Sequence, residues 1–145
     1  MGHDCPNINQ RVMKKFLLAL CAMLFCFGLE AEAQVYKFNA TDFAYRTNEG
    51  GVWSEWSDWS DCQILVVVNL DRGEIEIYSD ELQEFSIYDA GTSHYDSDGG
   101  EQMDLKCVDI DGIRCGVRVR VQHDGLVQLY IDYSDISYVY CLQER

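Results

Sequence analysis

The chain contains very little proline and no long stretch of helical periodicity. Its 145 residues include one proline, Pro6, near the start. Proline is one of the residues that block edge-to-edge pairing of exposed strands, and residues 34–145 contain none. The missing helical period argues against buried amphipathic helices. The two absences together favour an all-β fold with few free edges.

No apolar run reaches the roughly 20 residues that a membrane-spanning helix needs. The longest, residues 16–29, follows a Lys-Lys pair and precedes an A-x-A signal that ends at Ala33. This order is typical of a secretory signal peptide. We therefore expect residues 1–33 to be a leader that is cleaved near Ala33, with translation starting at Met13. We expect the rest of the chain to be secreted or periplasmic, without a membrane span.

Residues 34–145 have the length of one domain. Three of the 25 acidic and three of the 11 basic residues lie in the leader, so the net charge of −14 belongs to this domain. Such a domain is repelled by nucleic acid, which we exclude as a partner. The charge either keeps the domain soluble or attracts a basic partner or cations.

Four cysteines remain after cleavage: Cys62, Cys107, Cys115 and Cys141. An even number in an exported domain predicts two disulfides. No Cys-x-x-Cys pair is present and only two histidines remain, so no metal site is expected.

Strict alternation of apolar and polar residues marks residues 113–121 as a strand. Its apolar face ends at Val121, and Arg114, Arg118 and Arg120 lie on the other face. Asp124-Gly125 then signals a turn. A three-residue loop ending in a left-handed Gly125 pairs Val121 with Val127 and keeps every apolar residue on one side.

The same loop length at Asp109–Gly112 places Cys107 opposite Cys115, within disulfide reach. This predicts a Cys107–Cys115 bond and leaves Cys62 to pair with Cys141. The second bond depends on a further turn. A two-residue loop at Ser134-Asp135 points Cys141 outward, and one extra loop residue points it inward.

Further strands are predicted around residues 36–46, 62–70, 74–78, 84–88 and 103–109, and residues 89–101 are predicted to be a polar loop. Sequential hairpins favour an antiparallel meander of seven or eight strands. The expected fold is a small lipocalin-like barrel or a sandwich.

The segment Trp53–Cys62 has the unusual pattern W-S-x-W-S-x-W-S-x-C. It resembles the opening of thrombospondin type 1 repeats, and its first five residues match the WSXWS box of cytokine receptors. We attribute this ten-residue match to convergence, since the cysteines that follow in thrombospondin repeats are absent. The resemblance implies a cation–π ladder of Trp53, Trp56 and Trp59 with neighbouring arginines, for which Arg114, Arg118 and Arg120 are the candidates. Exposed tryptophans would instead form a binding surface.

The leader, the Trp-x-x-Trp segment and the closing hairpin at residues 129–135 together resemble small secreted β proteins of Bacteroidetes-type bacteria. That resemblance carries no known activity. The chain has no catalytic signature such as G-x-S-x-G or H-E-x-x-H, and no cofactor is expected. We therefore expect a non-catalytic domain that binds a small apolar ligand, a glycan or a protein. The alternatives are a structural or protein-interaction domain with a filled core and, less favoured, a hydrolase.

Overall fold

Every regular element that the computed structural model describes is a β-strand. The description covers residues 4–5 and 34–145, so the predicted leader lies outside it apart from Asp4 and Cys5. The strands are β1 (Val35–Glu49), β2 (Val52–Trp53), β3 (Ser60–Asn69), β4 (Glu74–Tyr78), β5 (Leu82–Tyr95), β6 (Glu101–Asp109), β7 (Arg114–Val121), β8 (Val127–Asp132) and β9 (Ile136–Glu144).

Eight of these strands form a closed up-and-down barrel. The order is β1-β3-β4-β5-β6-β7-β8-β9, and β9 pairs back onto β1. All pairings are antiparallel, and the short β2 pairs only with β1. The prediction of an all-β antiparallel small barrel is confirmed. Closure leaves the eight barrel strands without a free edge, as the absence of proline suggested.

Strand β1 closes the barrel by pairing with both β3 and β9, and it contains a β-bulge. Its register with both β3 and β9 shifts between Ala40 and Asp42. Phe38 and Ala40 face the interior before the bulge, and Phe43 packs against the same core after it. The bulge therefore reverses the inward and outward alternation of β1.

The two predicted three-residue hairpin loops are confirmed. Val121 pairs with Val127 and Cys107 pairs with Cys115. Gly112 and Gly125 close these loops with φ of 79° and 91°, which glycine adopts without the steric cost that a Cβ would bring.

The predicted loop at residues 89–101 is wrong. β5 continues to Tyr95, and a tight turn joins it to β6. Asp96 organises that turn, since its Oδ1 accepts hydrogen bonds from the N–H groups of Asp98 and Gly100 at 3.0 and 2.9 Å. Because the Asp96 side chain accepts hydrogen bonds from the backbone N–H groups of its own turn, this polar segment has a defined conformation.

Candidate ligand-binding site at the barrel mouth

A cavity of about 540 Å³ lies in one end of the barrel, where β3 begins and β4 turns into β5. Its walls include Phe43, Cys62, Ile64 and Tyr140, and its lip is the turn at residues 79–81. The rings of Phe43 and Tyr140 lie 6.4 Å apart at an angle of 33°. The volume falls within the usual range of small-molecule sites.

Deeper in the barrel the interior is filled. The void found there measures about 10 Å³ and is lined only by apolar side chains, among them Phe38, Leu105 and Leu129. A space of this size is at the lower limit for one water molecule. Of these two cavities, the one at the mouth is large enough for a ligand.

Hydrogen bonds hold the lip against the cavity wall. Gln83 Nε2 donates to Ser79 Oγ at 3.0 Å and to the hydroxyl of Tyr140 at 3.4 Å. Ser79 Oγ in turn donates to the carbonyl of Glu81 at 2.6 Å. Asp80 and Glu81 are exposed on this lip. The cavity thus combines an aromatic wall with a fixed, negatively charged rim.

Two ionisable groups in the cavity, Cys62 and Tyr140, have raised pKa values. Burial raises the pKa of the Cys62 thiol to about 11, and the nearby Asp42 and Asp61 carboxylates add to the shift. Burial also raises the pKa of Tyr140. A thiol that stays protonated near neutral pH is a poor nucleophile.

Cys107 and Cys115 lie opposite each other as predicted, but the structure holds them as free thiols. The predicted bond between them is therefore not formed. Burial raises the pKa of Cys107 to about 12 and that of Cys115 to about 11. The adjacent Tyr133 hydroxyl donates to Asp109 Oδ2 at 2.8 Å.

The predicted Cys62–Cys141 bond is wrong. Cys141 bonds to Cys5, and Cys62 is a free thiol. The turn before β9 is the two-residue form, since Asp132 pairs with Ser137 and Tyr133 N donates to the carbonyl of Ile136. Tyr140 then faces the core and Cys141 faces out, whereas Cys62 packs on the interior side. The barrel wall separates the two thiols.

The W-S-x segment lies along the outside of β1 and is fastened to it by its serines. Ser54 N donates to the carbonyl of Thr47 at 2.8 Å, and Thr47 N donates back to Ser54 Oγ at 3.0 Å. Ser57 and Tyr45 repeat the same exchange at 2.8 and 3.0 Å. A three-residue sequence repeat is thereby matched to the two-residue period of a strand.

The tryptophans of this segment form cation–π contacts, but the arginine involved is Arg46. Its guanidinium carbon lies 4.7 Å from the centroid of Trp53 and 4.8 Å from that of Trp56. Trp59 packs farther along, beside Ala44 and Cys141. Arg46 follows the bulge in β1, which turns it to the outer face between the indoles.

The three arginines proposed for the ladder have other principal contacts. Arg118 lies 4.1 Å from the ring of Tyr130 and is paired with Asp132 by bonds of 2.5 and 3.0 Å. The ring of Tyr130 lies edge-on to that of Trp56, with the centroids 5.8 Å apart. Arg118 therefore contacts the tryptophan stack only indirectly, through Tyr130. Arg114 lies 5.8 Å from the ring of Tyr88.

Arg120 is fully buried on the outer side of β7 and is surrounded by acceptors. Its Nε donates to Asp96 Oδ2 at 2.6 Å, and its Nη1 donates to Asp4 Oδ1 at 2.9 Å and Gln128 Oε1 at 2.8 Å. Burial opposes the charge, but these carboxylates raise the pKa of Arg120. Asp98 Oδ2 stands 3.9 Å from Nη2.

The remaining candidate groups do not meet at the cavity. His94 and His123 are exposed near the opposite end of the barrel, and the Ser93 hydroxyl donates to Glu101 at 2.6 Å. Among the described residues, no three His, Cys, Asp or Glu side chains cluster as metal ligands would. The same part of the chain contains no helix that is long and apolar enough to span a membrane.

No known protein family matches this chain, and no curated protein or solved structure is significantly similar to it. The function must therefore be argued from the geometry. Sequence reasoning did not identify the cavity residues as a site, although the two-residue loop at Ser134-Asp135 that points Cys141 outward also points its neighbour Tyr140 inward. A mouth cavity depends on which strands meet at closure, and a single-strand pattern does not contain that information.

Proposed function

We propose that this protein is an exported, non-catalytic binding domain that holds a small ligand in the mouth of its barrel. The observation that carries the proposal is the cavity of about 540 Å³ at the barrel mouth, against a void of about 10 Å³ among the core side chains. Pockets of this size with apolar walls and a few placed polar groups are the usual form of small-molecule sites.

The lining favours a ligand with an apolar body and a cationic end. Phe43, Ile64 and Tyr140 offer apolar and aromatic surface, and Asp80 and Glu81 stand at the rim. The net charge of −14 adds a long-range attraction for cations. The leader-like order of residues 14–33, a Lys-Lys pair, an apolar run and an A-x-A signal, supports export.

A second candidate is a protein-interaction domain, as the filled lower interior allows. Val52 and Trp53 are exposed at the start of the W-S-x segment, at 73% and 36%. The tryptophan face is otherwise used internally, since Trp56 and Trp59 pack on buried residues of the barrel wall. The cavity therefore remains the better-supported site.

The charge preference is tested with three probes that share one apolar body: adamantane-1-ammonium, 1-adamantanol and adamantane-1-carboxylate. Isothermal titration should give affinities in the order cation, neutral, anion. The double variant Asp80→Asn/Glu81→Gln should weaken the cation roughly three- to tenfold and leave the alcohol unchanged, because exposed charges contribute modestly. Asp71→Asn, in the β3–β4 turn at the opposite end of the barrel, is the control. Equal affinities for all three probes would remove the cationic assignment.

A further inference from the structure

Asp4 and Cys5 occupy a slot on the outer face of the barrel and make three different contacts there. Asp4 Oδ1 accepts a hydrogen bond from Arg120 Nη1 at 2.9 Å. The backbone N–H of Cys5 donates to Gln122 Oε1 at 2.8 Å, and its sulfur is bonded to Cys141. The slot therefore recognises a carboxylate, a peptide N–H and the sulfur of the following cysteine.

The slot is built from buried groups. The side chain of Arg120 is completely buried, Gln122 is 2% exposed, and Leu126 and Trp59 pack beside the sulfurs. Arg120 Nη2 is buried and has no hydrogen-bond partner within the described residues. Nη2 lies toward the neighbouring turn, 3.9 Å from Asp98 Oδ2, so a carboxylate in the slot is held through Nη1, as Asp4 is.

Either expected event, translation from Met13 or cleavage near Ala33, leaves the barrel without Asp4 and Cys5 and leaves Cys141 unpaired. We propose that the vacated slot is an S-thiolation site, at which Cys141 takes up a small acidic cysteine peptide from its disulfide. The Cys141 thiolate attacks one sulfur of the peptide disulfide R–S–S–R. A bond forms between Cys141 and that sulfur, the original S–S bond breaks, and R–S⁻ leaves and takes up a proton. Cys141 is oxidised, and the departing sulfur is reduced.

The net charge of the protein opposes the preference for acidic reagents that the slot would give Cys141. A net charge of −14 attracts cationic reagents to the surface in general. Asp96 and Asp98 on the neighbouring turn also face Arg120 and favour a cation. A preference for an acidic reagent at Cys141 can therefore come only from the slot contacts that the reagent takes over from Asp4 and Cys5.

The test uses the full chain, expressed with its leader in an exporting bacterial host and gently reduced after purification. Glutathione disulfide and cystamine serve as acidic and cationic reagents, and mixed-disulfide formation at Cys141 is followed by peptide mass spectrometry. We expect glutathione to react roughly tenfold faster than cystamine or more. Gln122→Ala should remove most of this preference while the barrel stays folded by circular dichroism. His123→Ala, an exposed neighbour, should leave it unchanged.

Three results would overturn the proposal. Cystamine could react as fast as glutathione or faster, and the slot would then have no acidic selectivity. The exported protein could retain residues 1–33 with Cys5 bonded to Cys141, and the slot would then never be vacant. The preference could also persist undiminished in Gln122→Ala, which would place its origin outside the slot.

Discussion

At the scale of single residues, a buried arginine, Arg120, and a half-buried one, Arg46, organise the outer face of the barrel in different ways. Arg120 is held by carboxylate and amide oxygens, and Arg46 is held by two indole rings. The Nε of Arg46 is buried and has no hydrogen-bond partner among the described residues. The two indole rings are the contacts that the structure gives this half-buried guanidinium.

Replacing Arg46 by Ala should destabilise the protein by about 1–3 kcal/mol, because two cation–π contacts and their packing are lost. Chemical denaturation followed by tryptophan fluorescence measures the change and also reports the altered surroundings of Trp53 and Trp56. Arg72→Ala, in an exposed turn, is the matched control and should stay within about 0.5 kcal/mol of wild type. Equal midpoints for the two variants, with unchanged emission, would show that the stack contributes nothing.

The Asp96–Arg120 pair predicts a loss of stability in acid. Burial opposes ionisation of Asp96, but the bonds from Arg120 and Gly100 lower its pKa in the folded protein. A lowered folded pKa means that the stabilisation is complete above the unfolded value of about 3.8 and is lost as the pH falls toward the folded value.

Asp96→Asn should therefore be less stable than wild type at pH 7 and should lose less stability on acidification. Unfolding by urea at a series of pH values measures both. Burial opposes ionisation of Asp109 too, but hydrogen bonds from Ile113 and Tyr133 lower its pKa. The variant should therefore still lose some stability as the pH falls. Identical pH profiles for Asp96→Asn and wild type would contradict this account.

At the scale of strands and turns, the sequence predicted what depends on local alternation and turn chemistry. Both Asp-Gly hairpins are as expected, and so is the strand register that places Cys107 opposite Cys115. The bulge in β1 was not foreseen, since it reverses the alternation midway and weakens the pattern of that strand. The extension of β5 to Tyr95 was also missed, because the residues are polar and their order depends on Asp96 and Arg120.

The left-handed glycine at the β6–β7 turn gives a test at this scale. A Cβ on Gly112 would meet nothing within 4 Å, so Gly112→Ala isolates the cost of its φ of 79°. We expect a destabilisation of roughly 1–2 kcal/mol, measured by thermal or urea unfolding. Ile110→Ala, an exposed change in the same loop, should cost much less. A neutral Gly112→Ala would mean that the turn has another conformation.

At the scale of the whole molecule, closure of the meander determines what can meet. It places Cys62 inside and Cys141 outside, which is why elimination among the four cysteines gave a wrong pair. It also brings β1, β3, β9 and the β4–β5 turn together around the mouth cavity. These relations depend on distant segments and on residues 4–5, so alternation within single strands could not predict them.

The central claim, that the mouth of the barrel is the ligand site, is tested most directly by filling it. Ile64→Trp places an indole in the cavity, and Val67→Trp adds the same group to the outer side of the same strand. Isothermal titration with adamantane-1-ammonium should show saturable one-site binding to wild type and to Val67→Trp, and none to Ile64→Trp. Absence of binding to wild type, or equal binding to all three folded proteins, would contradict the account.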